Sequence, residues 1–502
     1  MDMRRATFAA LGFVLLPTLQ AYAQEHHATE PEKLGTVHFA TSYNPAVAPK
    51  FDRAVALLHS FEFGGSIRGF NDVLATDSTC AMAYWGLALS RWGNPMAPGN
   101  RAPALLQEGA DLAAKGARVA VKAPEREREY LAAVSQLYDN YQQRDQRSRV
   151  NAYSQAMEAV TLEQPADTEA KIFYAISLVA AASPTDKTYA NQLKAGGILE
   201  SLWAKKPNHP GLAHYIIHAY DYPALANKAR AAAARYATIA PSAAHALHMP
   251  SHTFTRVGMW KESVAANERS SAAALETGSV SEALHAADYE MYAYLQLGDT
   301  VKAKEVLDRL PSIAARFNPT AVTGAAPPSA AVFAMSAIPA RWVLERDAWS
   351  EAAALQPRVT SYRYADAMTH FARAIGASHT GALDTAKASV DALADIQQSL
   401  VASNEPYWAE QVAIQHLAAQ AWLELAQHRS DDALRDMREA ATREDATDKS
   451  AVTPGPLAPA RELLGDMLVA LGRRGDASAE YRAALTREPN RRRLLLRLFS
   501  KS

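Results

Sequence analysis

Segments of this chain repeat at a fixed interval. Pro207 opens the run Asn-His-Pro-Gly-Leu-Ala-His-Tyr, and 34 residues later Pro241 opens Ser-Ala-Ala-His-Ala-Leu-His-Met. From Pro241 onward, Gly258, Trp260, Ser263, Asn267 and Ser270 follow at the spacing of a turn glycine, an aromatic and a small-large-small stripe on a second helix. Gly465, Gly472, Ala477, Tyr481, Ala484 and Pro489 repeat those offsets near the C-terminus, and Phe70–Trp85 reads as the end of one unit running into the next. A helix pair of this length cannot bury its apolar face alone, so neighbours must stack.

The offsets are those of a tetratricopeptide repeat (TPR). They predict an all-α fold, a right-handed α-α superhelical solenoid of about ten or eleven TPR-like helix pairs. First helices should line a concave groove and second helices face outward. The array should start near Val47. A segment at 318–329, rich in Pro, Gly, Ala and Thr, should link an N-terminal array (47–317) to a C-terminal one (330–502). Thr453-Pro-Gly-Pro marks a second break before the last repeat, and 24–46 reads as an arm lying on the first repeat.

Composition removes several function classes. With 52 basic and 53 acidic side chains in 502 residues, the chain lacks the basic excess of a nucleic-acid binder. Its one cysteine, Cys80, excludes an intramolecular disulfide and any cysteine-built zinc or iron–sulfur centre. Residues 1–23 carry Arg4 and Arg5, an apolar run Phe8–Leu19 and Ala21-Tyr22-Ala23, the three parts of a cleavable signal peptide. The expectation is export, periplasmic or secreted, with Gln24 as the new terminus and no membrane span in the mature chain.

Six of the fifteen histidines fall in one stretch: His214, His218, His245, His248, His252 and His285. Adding the repeat period to 214 and 218 gives 248 and 252, histidine again. His245, His248 and His252 share one helical face, at what would be positions two, five and nine of a first helix. In the next repeat His285, Asp288 and Tyr292 correspond to them. Adjacent helices pack about 8–10 Å apart, a gap that opposed imidazoles can bridge through an ion. The expected rows are His245 with His285, His214 with His248 and Asp288, and His218 with His252 and Tyr292. Asp221 is a ligand or supporting partner, Arg256 lies on the same groove, and Tyr292 or Tyr222 is a candidate proton donor. Pro250 should kink the helix that presents the imidazoles. A thiolate-free, nitrogen-rich set with a carboxylate suits a divalent transition metal: zinc, copper or iron, with manganese a further candidate. Six histidines suffice for a pair of three-histidine centres.

Weaker features are His59 and Trp85, facing the groove of the first repeats, with Trp85 read as packing. Glu462 and Asp466, beside Arg461, read as a solvated face, and the Arg491-Arg-Arg run as a capping helix. His26 and His27 are tail histidines.

The runs Phe51–Phe61, Ala81–Gly86, Ser183–Ala195, His214–Pro223, His245–Phe254 and Thr453–Pro456 resemble a large group of bacterial, often exported, TPR proteins. The resemblance covers nearly the whole mature chain and implies the solenoid fold; the group carries no settled activity. It often has a cysteine where this chain has Tyr43, apparently partnering the one at Cys80, which implies a missing staple and a looser N-terminal arm. Two functions follow. One is an exported solenoid holding a divalent transition metal through groove histidines, with a metalloenzyme as one form of it. The other is a non-enzymatic adaptor taking a peptide or partner protein in the same groove.

Overall fold

The structure is a computed structural model and describes residues 32–97 and 99–499. The expected signal peptide, His26, His27 and the start of the arm lie outside the described residues. All regular structure among the described residues is helical, and successive helices pack as neighbours in a TPR-like superhelical solenoid.

Sequence pattern separates the two helix roles. Val280–Leu297 is apolar or partnered almost all round and is buried along its length, with only Leu297 exposed, as an inner helix must be. Its predecessor Trp260–Glu276 buries one stripe, including Trp260, Ser263, Val264, Asn267 and Ser270, and leaves the rest to solvent. The two are joined at Gly278, and the preceding turn uses Gly258 at φ +69°. A Cβ at Gly258 would also lie 2.8 Å from the Asn490 side chain, so the small residue is needed for close approach as well as for the turn.

Three apolar cores run in series, the first over Leu34–Met249, the second over Ala244–Ile338 and the third over Ala326–Leu494. The segment 318–329, expected as a linker, is packed into the fold. Thr323 O accepts from Gly64 N at 2.7 Å, Ala326 N donates to Glu282 at 2.9 Å, and Ala325 and Ala326 are buried. From Lys33 onward the chain is one unit. The C-terminal array returns onto the N-terminal one through Lys187–Asp448 at 2.7 Å, Trp260 Nε1 to Asn490 O at 2.9 Å and Arg492 N to Gln296 at 2.9 Å. The six histidines expected to line an open groove are buried.

The arm is anchored without a staple. Phe39 packs among Phe51, Trp85 and Tyr130, and Ser42 hydrogen-bonds Glu127 through its N–H (2.6 Å) and hydroxyl (3.0 Å). Trp85 is packing, as its sequence context indicates. The last repeat corrects the expectation of a solvated face. Glu462 is fully buried and takes Arg491 at 2.6 Å and Arg493 at 3.0 Å, while Arg491 also reaches Glu345 at 2.7 Å and Asp466 pairs with Arg497. The basic run caps the array by carrying charge inward, to the carboxylates of Glu462 on the helix Ala460–Ala470 and of Glu345.

Candidate metal centre

Three successive first helices carry the six histidines: Pro210–Ala219, then Ala244–His248 continuing as Pro250–Arg256, then Val280–Leu297. Pro250 has no N–H to give the helix, so the ladder breaks at Met249 and restarts, as its position predicts. All six rings are buried. Gly211 lets the first of these helices approach: a Cβ there would lie 2.6 Å from His59 Nδ1.

The rings gather into two groups, and not in the expected rows. His214, His218 and His245 form one, His248, His252 and His285 the other, and in each a ring nitrogen from every member lies within 4.8 Å of the others. The reason is superhelical stagger. Position two of each first helix is carried back level with positions five and nine of the helix before it, so like positions do not meet. The two triads are thus successive copies of one arrangement.

In the first triad, His214 Nδ1 donates to His59 O at 2.6 Å and His245 Nδ1 to Glu282 at 2.8 Å. Both acceptors can only accept, so the Nδ1 atoms carry the protons. The Nε2 atoms of His214, His218 and His245 are buried, and none has a hydrogen-bond partner among the described residues. Phe61, held at φ +54°, packs on all three rings with centroids 4.5, 5.6 and 5.7 Å away. Three buried imidazole nitrogens left unmet in one spot are costly unless something binds them.

In the second triad, His252 Nδ1 donates to Asp221 at 2.9 Å. His248 Nδ1 donates to Asn267 Oδ1 at 2.6 Å, and that amide is oriented by its own Nδ2 bond to Ser263 O. With both Nδ1 atoms protonated, His248 Nε2 and His252 Nε2 face each other at 3.0 Å. Burial pushes both imidazoles below their ordinary pKa, so a lone pair faces a lone pair. Two nitrogens bound at roughly 2.0–2.1 Å to one ion, about 90–110° apart around it, lie about 2.9–3.4 Å from each other. A common point within about 2.8 Å of all three nitrogens exists in any triangle of the observed size, so shifts under about 1 Å complete a bonding distance.

Asp221 and Arg256 pair with each other beside His252. Arg256 donates to the Asp221 carboxylate (Nε, 2.8 Å) and carbonyl (Nη2, 2.9 Å), and Lys449 Nζ stands 3.7 Å from the carboxylate. Burial and the Arg256 charge lower the Lys449 ammonium to about 8. Three other expected residues are elsewhere. Asp288 faces Arg341 (2.7 Å) rather than an imidazole; Tyr292 hydrogen-bonds Glu488 and Arg491, both at 3.2 Å; Tyr222 packs on Tyr189. At the third step of the spiral, Asp288 and Tyr292 replace a histidine pair, and the cation there is the Arg341 guanidinium, 5.0 Å from the Tyr292 ring.

Residues not anticipated are Glu282, Tyr289, Asn267, Glu62 and Phe61. Glu282 and Tyr289 lie three before and four after His285, so helical spacing alone marks them as its neighbours. Tyr289 OH lies 3.4 Å from His252 Nε2 and hydrogen-bonds the Ala451 and Thr453 carbonyls, both at 3.2 Å. Glu62 accepts from His245 N at 3.2 Å; burial and the Glu282 charge raise it to about 7. A third group, His59, Glu169 and His209, differs from the triads: Glu169 accepts from both Nε2 atoms at 2.9 Å and satisfies them.

Burial sets His214, His218, His248 and His285 well below 6.5. In the metal-free chain this gives acid lability. Between the lowered values and 6.5 the unfolded chain holds protons that the fold does not, so stability is full above 6.5 and falls with pH below it. Glu62, Glu290 and Glu444, raised to about 7, oppose this, gaining stability as pH falls from 7 toward 4.5. His379, lowered to about 4, adds to the histidine side. The net expectation is a loss of about 1–3 kcal/mol per pH unit below 6.5, read as a falling urea midpoint between pH 7 and pH 5.5. A midpoint that rises on acidification contradicts it.

A cavity of about 20 Å³ lies where the triads meet, lined by His218, His245, His252 and His285 and by Ala326-Pro327 and Ala451-Val452. That is room for about one or two water-sized guests.

No protein-family model matches this sequence, and no curated protein matches it. Among solved structures, the human IFIT1 dimer with m7Gppp-AAAA is similar with 12% identity and a TM-score of 0.37, covering 86% of this chain and 94% of that one. Yeast Tom70 gives 9% identity and a TM-score of 0.36, covering 86% and 88%. The Cut9–Hcn1 assembly of APC/C gives 13% and 0.35, covering 84% and 76%. Similarity at this level concerns the winding of helices and transfers no ligand or activity.

Proposed function

We propose that this chain is a metal-binding helical solenoid holding a divalent transition metal (zinc, copper or iron) in each of two three-histidine centres. One observation carries this reading: His214, His218 and His245 each bring a ring nitrogen within 4.8 Å of the others, their buried Nε2 atoms have no partner, and the Nδ1 atoms of His214 and His245 are anchored by groups that only accept. Anchoring the far nitrogen fixes the tautomer and aims the near one, which is how metal-binding histidines are supported. The donor set, nitrogen without thiolate, fits the metals named. Three protein ligands also leave a four-coordinate ion one open position, which is the arrangement of a catalytic rather than a closed structural site.

Export remains part of the proposal on the strength of the N-terminal sequence. In the adaptor alternative a partner protein would meet other residues, because these six histidines are buried.

Asp221 provides the test. Asp221→Asn removes the carboxylate behind His252 but leaves the first triad untouched. Competition against a chromophoric chelator is expected to show two metal equivalents in the parent, and one of them weakened about 10–100-fold in the variant. Unchanged affinity at both sites, or no binding in the parent, contradicts the assignment.

A further inference from the structure

The triads do not open into separate spaces. His218 and His245 from one, and His252 and His285 from the other, wall the same cavity of about 20 Å³. An ion held by each triad therefore has its remaining coordination position turned toward a shared volume. No carboxylate lines that volume, and the one side-chain amide on its wall, Asn94, is engaged with backbone, its Oδ1 accepting from Met96 N at 2.8 Å and its Nδ2 donating to Ala325 O at 3.3 Å. The rest of the wall includes Ala97, Ala330, Val452 and Met249, of which only the soft Met249 thioether carries a donor atom, and the size admits about one or two water-sized groups.

From this we infer that the two ions share one small oxygen-donor ligand, hydroxide at rest, and work as a single dinuclear unit whose substrate has only a few non-hydrogen atoms. The inference rests on the metal reading above and specifies how its two centres cooperate. The hydroxide forms from one water: its O–H bond to the departing hydrogen breaks, the proton passes to bulk solvent, and the oxygen keeps the electron pair and binds both ions. No oxidant or reductant is needed. An ion lowers the pKa of a bound water toward neutrality, and a second ion on the same oxygen lowers it further. Ala326-Pro327 and Ala451-Val452 belong to the wall of this small volume, whose size limits the substrate.

Copper(II) is the probe, because a bridging hydroxide couples two copper spins and cancels their resonance. The full chain, without an affinity tag, is loaded with copper(II) and its oxidation state is checked by the X-ray absorption edge. The expected result is two coppers per chain with most of the spin missing from the paramagnetic resonance spectrum. His285→Ala should bind one copper with its full spin. A second variant, Ala330→Val, leaves every ligand in place and fills the cavity; it should retain two coppers and regain their spin. Two coppers with full spin in the parent overturn the shared ligand and leave the metal reading standing. Binding of no copper overturns both.

Discussion

His245→Ala is expected to carry one metal ion per chain where the parent carries two, and to lose half of the metal-dependent gain in stability. His245 belongs to the first triad alone, and its ring is fixed from behind by Glu282. An ion that binds the folded chain only adds about 4 kcal/mol per site at a free concentration about a thousandfold above Kd. The reading is the difference between metal-loaded and metal-free denaturation midpoints. Loss of packing on truncating a buried ring affects both forms and cancels in that difference. Ion content by mass spectrometry runs in parallel. An equal metal-dependent gain in parent and variant contradicts the first centre, whatever the variant's absolute stability.

Arg341→Ala should be as damaging without touching a histidine. The Arg341 side chain is fully buried and donates to Asp288 (2.7 and 3.4 Å), Thr453 Oγ1 (2.8 Å), Gly455 O (2.9 Å) and Pro456 O (3.1 Å). It thus ties the third first-helix step to the Thr453-Pro-Gly-Pro turn, next to Ala451-Val452. Removing it strands a buried carboxylate and several acceptors, at a cost of about 3–5 kcal/mol in urea denaturation. Arg341→Lys restores the charge and not the planar fork, so it should recover only part of the loss. The paired change Arg341→Met with Asp288→Leu removes both charges and should recover most of the carboxylate penalty. If the single alanine variant is as stable as the parent, the tie is not structural.

The helix pairs were readable because each repeat spaces its turn glycine, aromatic and small residues at fixed offsets, and Gly258 and Trp260 occupy those roles in the fold. The six histidines were readable for the same reason. Their grouping was not, because the stagger between consecutive first helices is a property of stacked units and not of any one of them. Equal-position rows placed His248 with His214; in the fold His248 meets His285 and His252. Asp288 departs from the expected row because its partner Arg341 comes from a later helix, beyond the reach of local spacing. The burial of the histidines was also hidden. Segments 318–329 and 451–453, which sequence marks only as breaks, supply part of the wall around them, and contacts across more than a hundred residues leave no periodic trace. Glu282 and Tyr289, three before and four after His285, are legible from helical spacing alone.

The most direct test is anomalous scattering from crystals of the tag-free chain grown with zinc or copper. The account places one peak among the Nε2 atoms of His214, His218 and His245 and a second beside those of His248 and His252, each about 2.0–2.1 Å from its nitrogens. Peaks confined to surface residues, with water or nothing between the imidazoles, would contradict it.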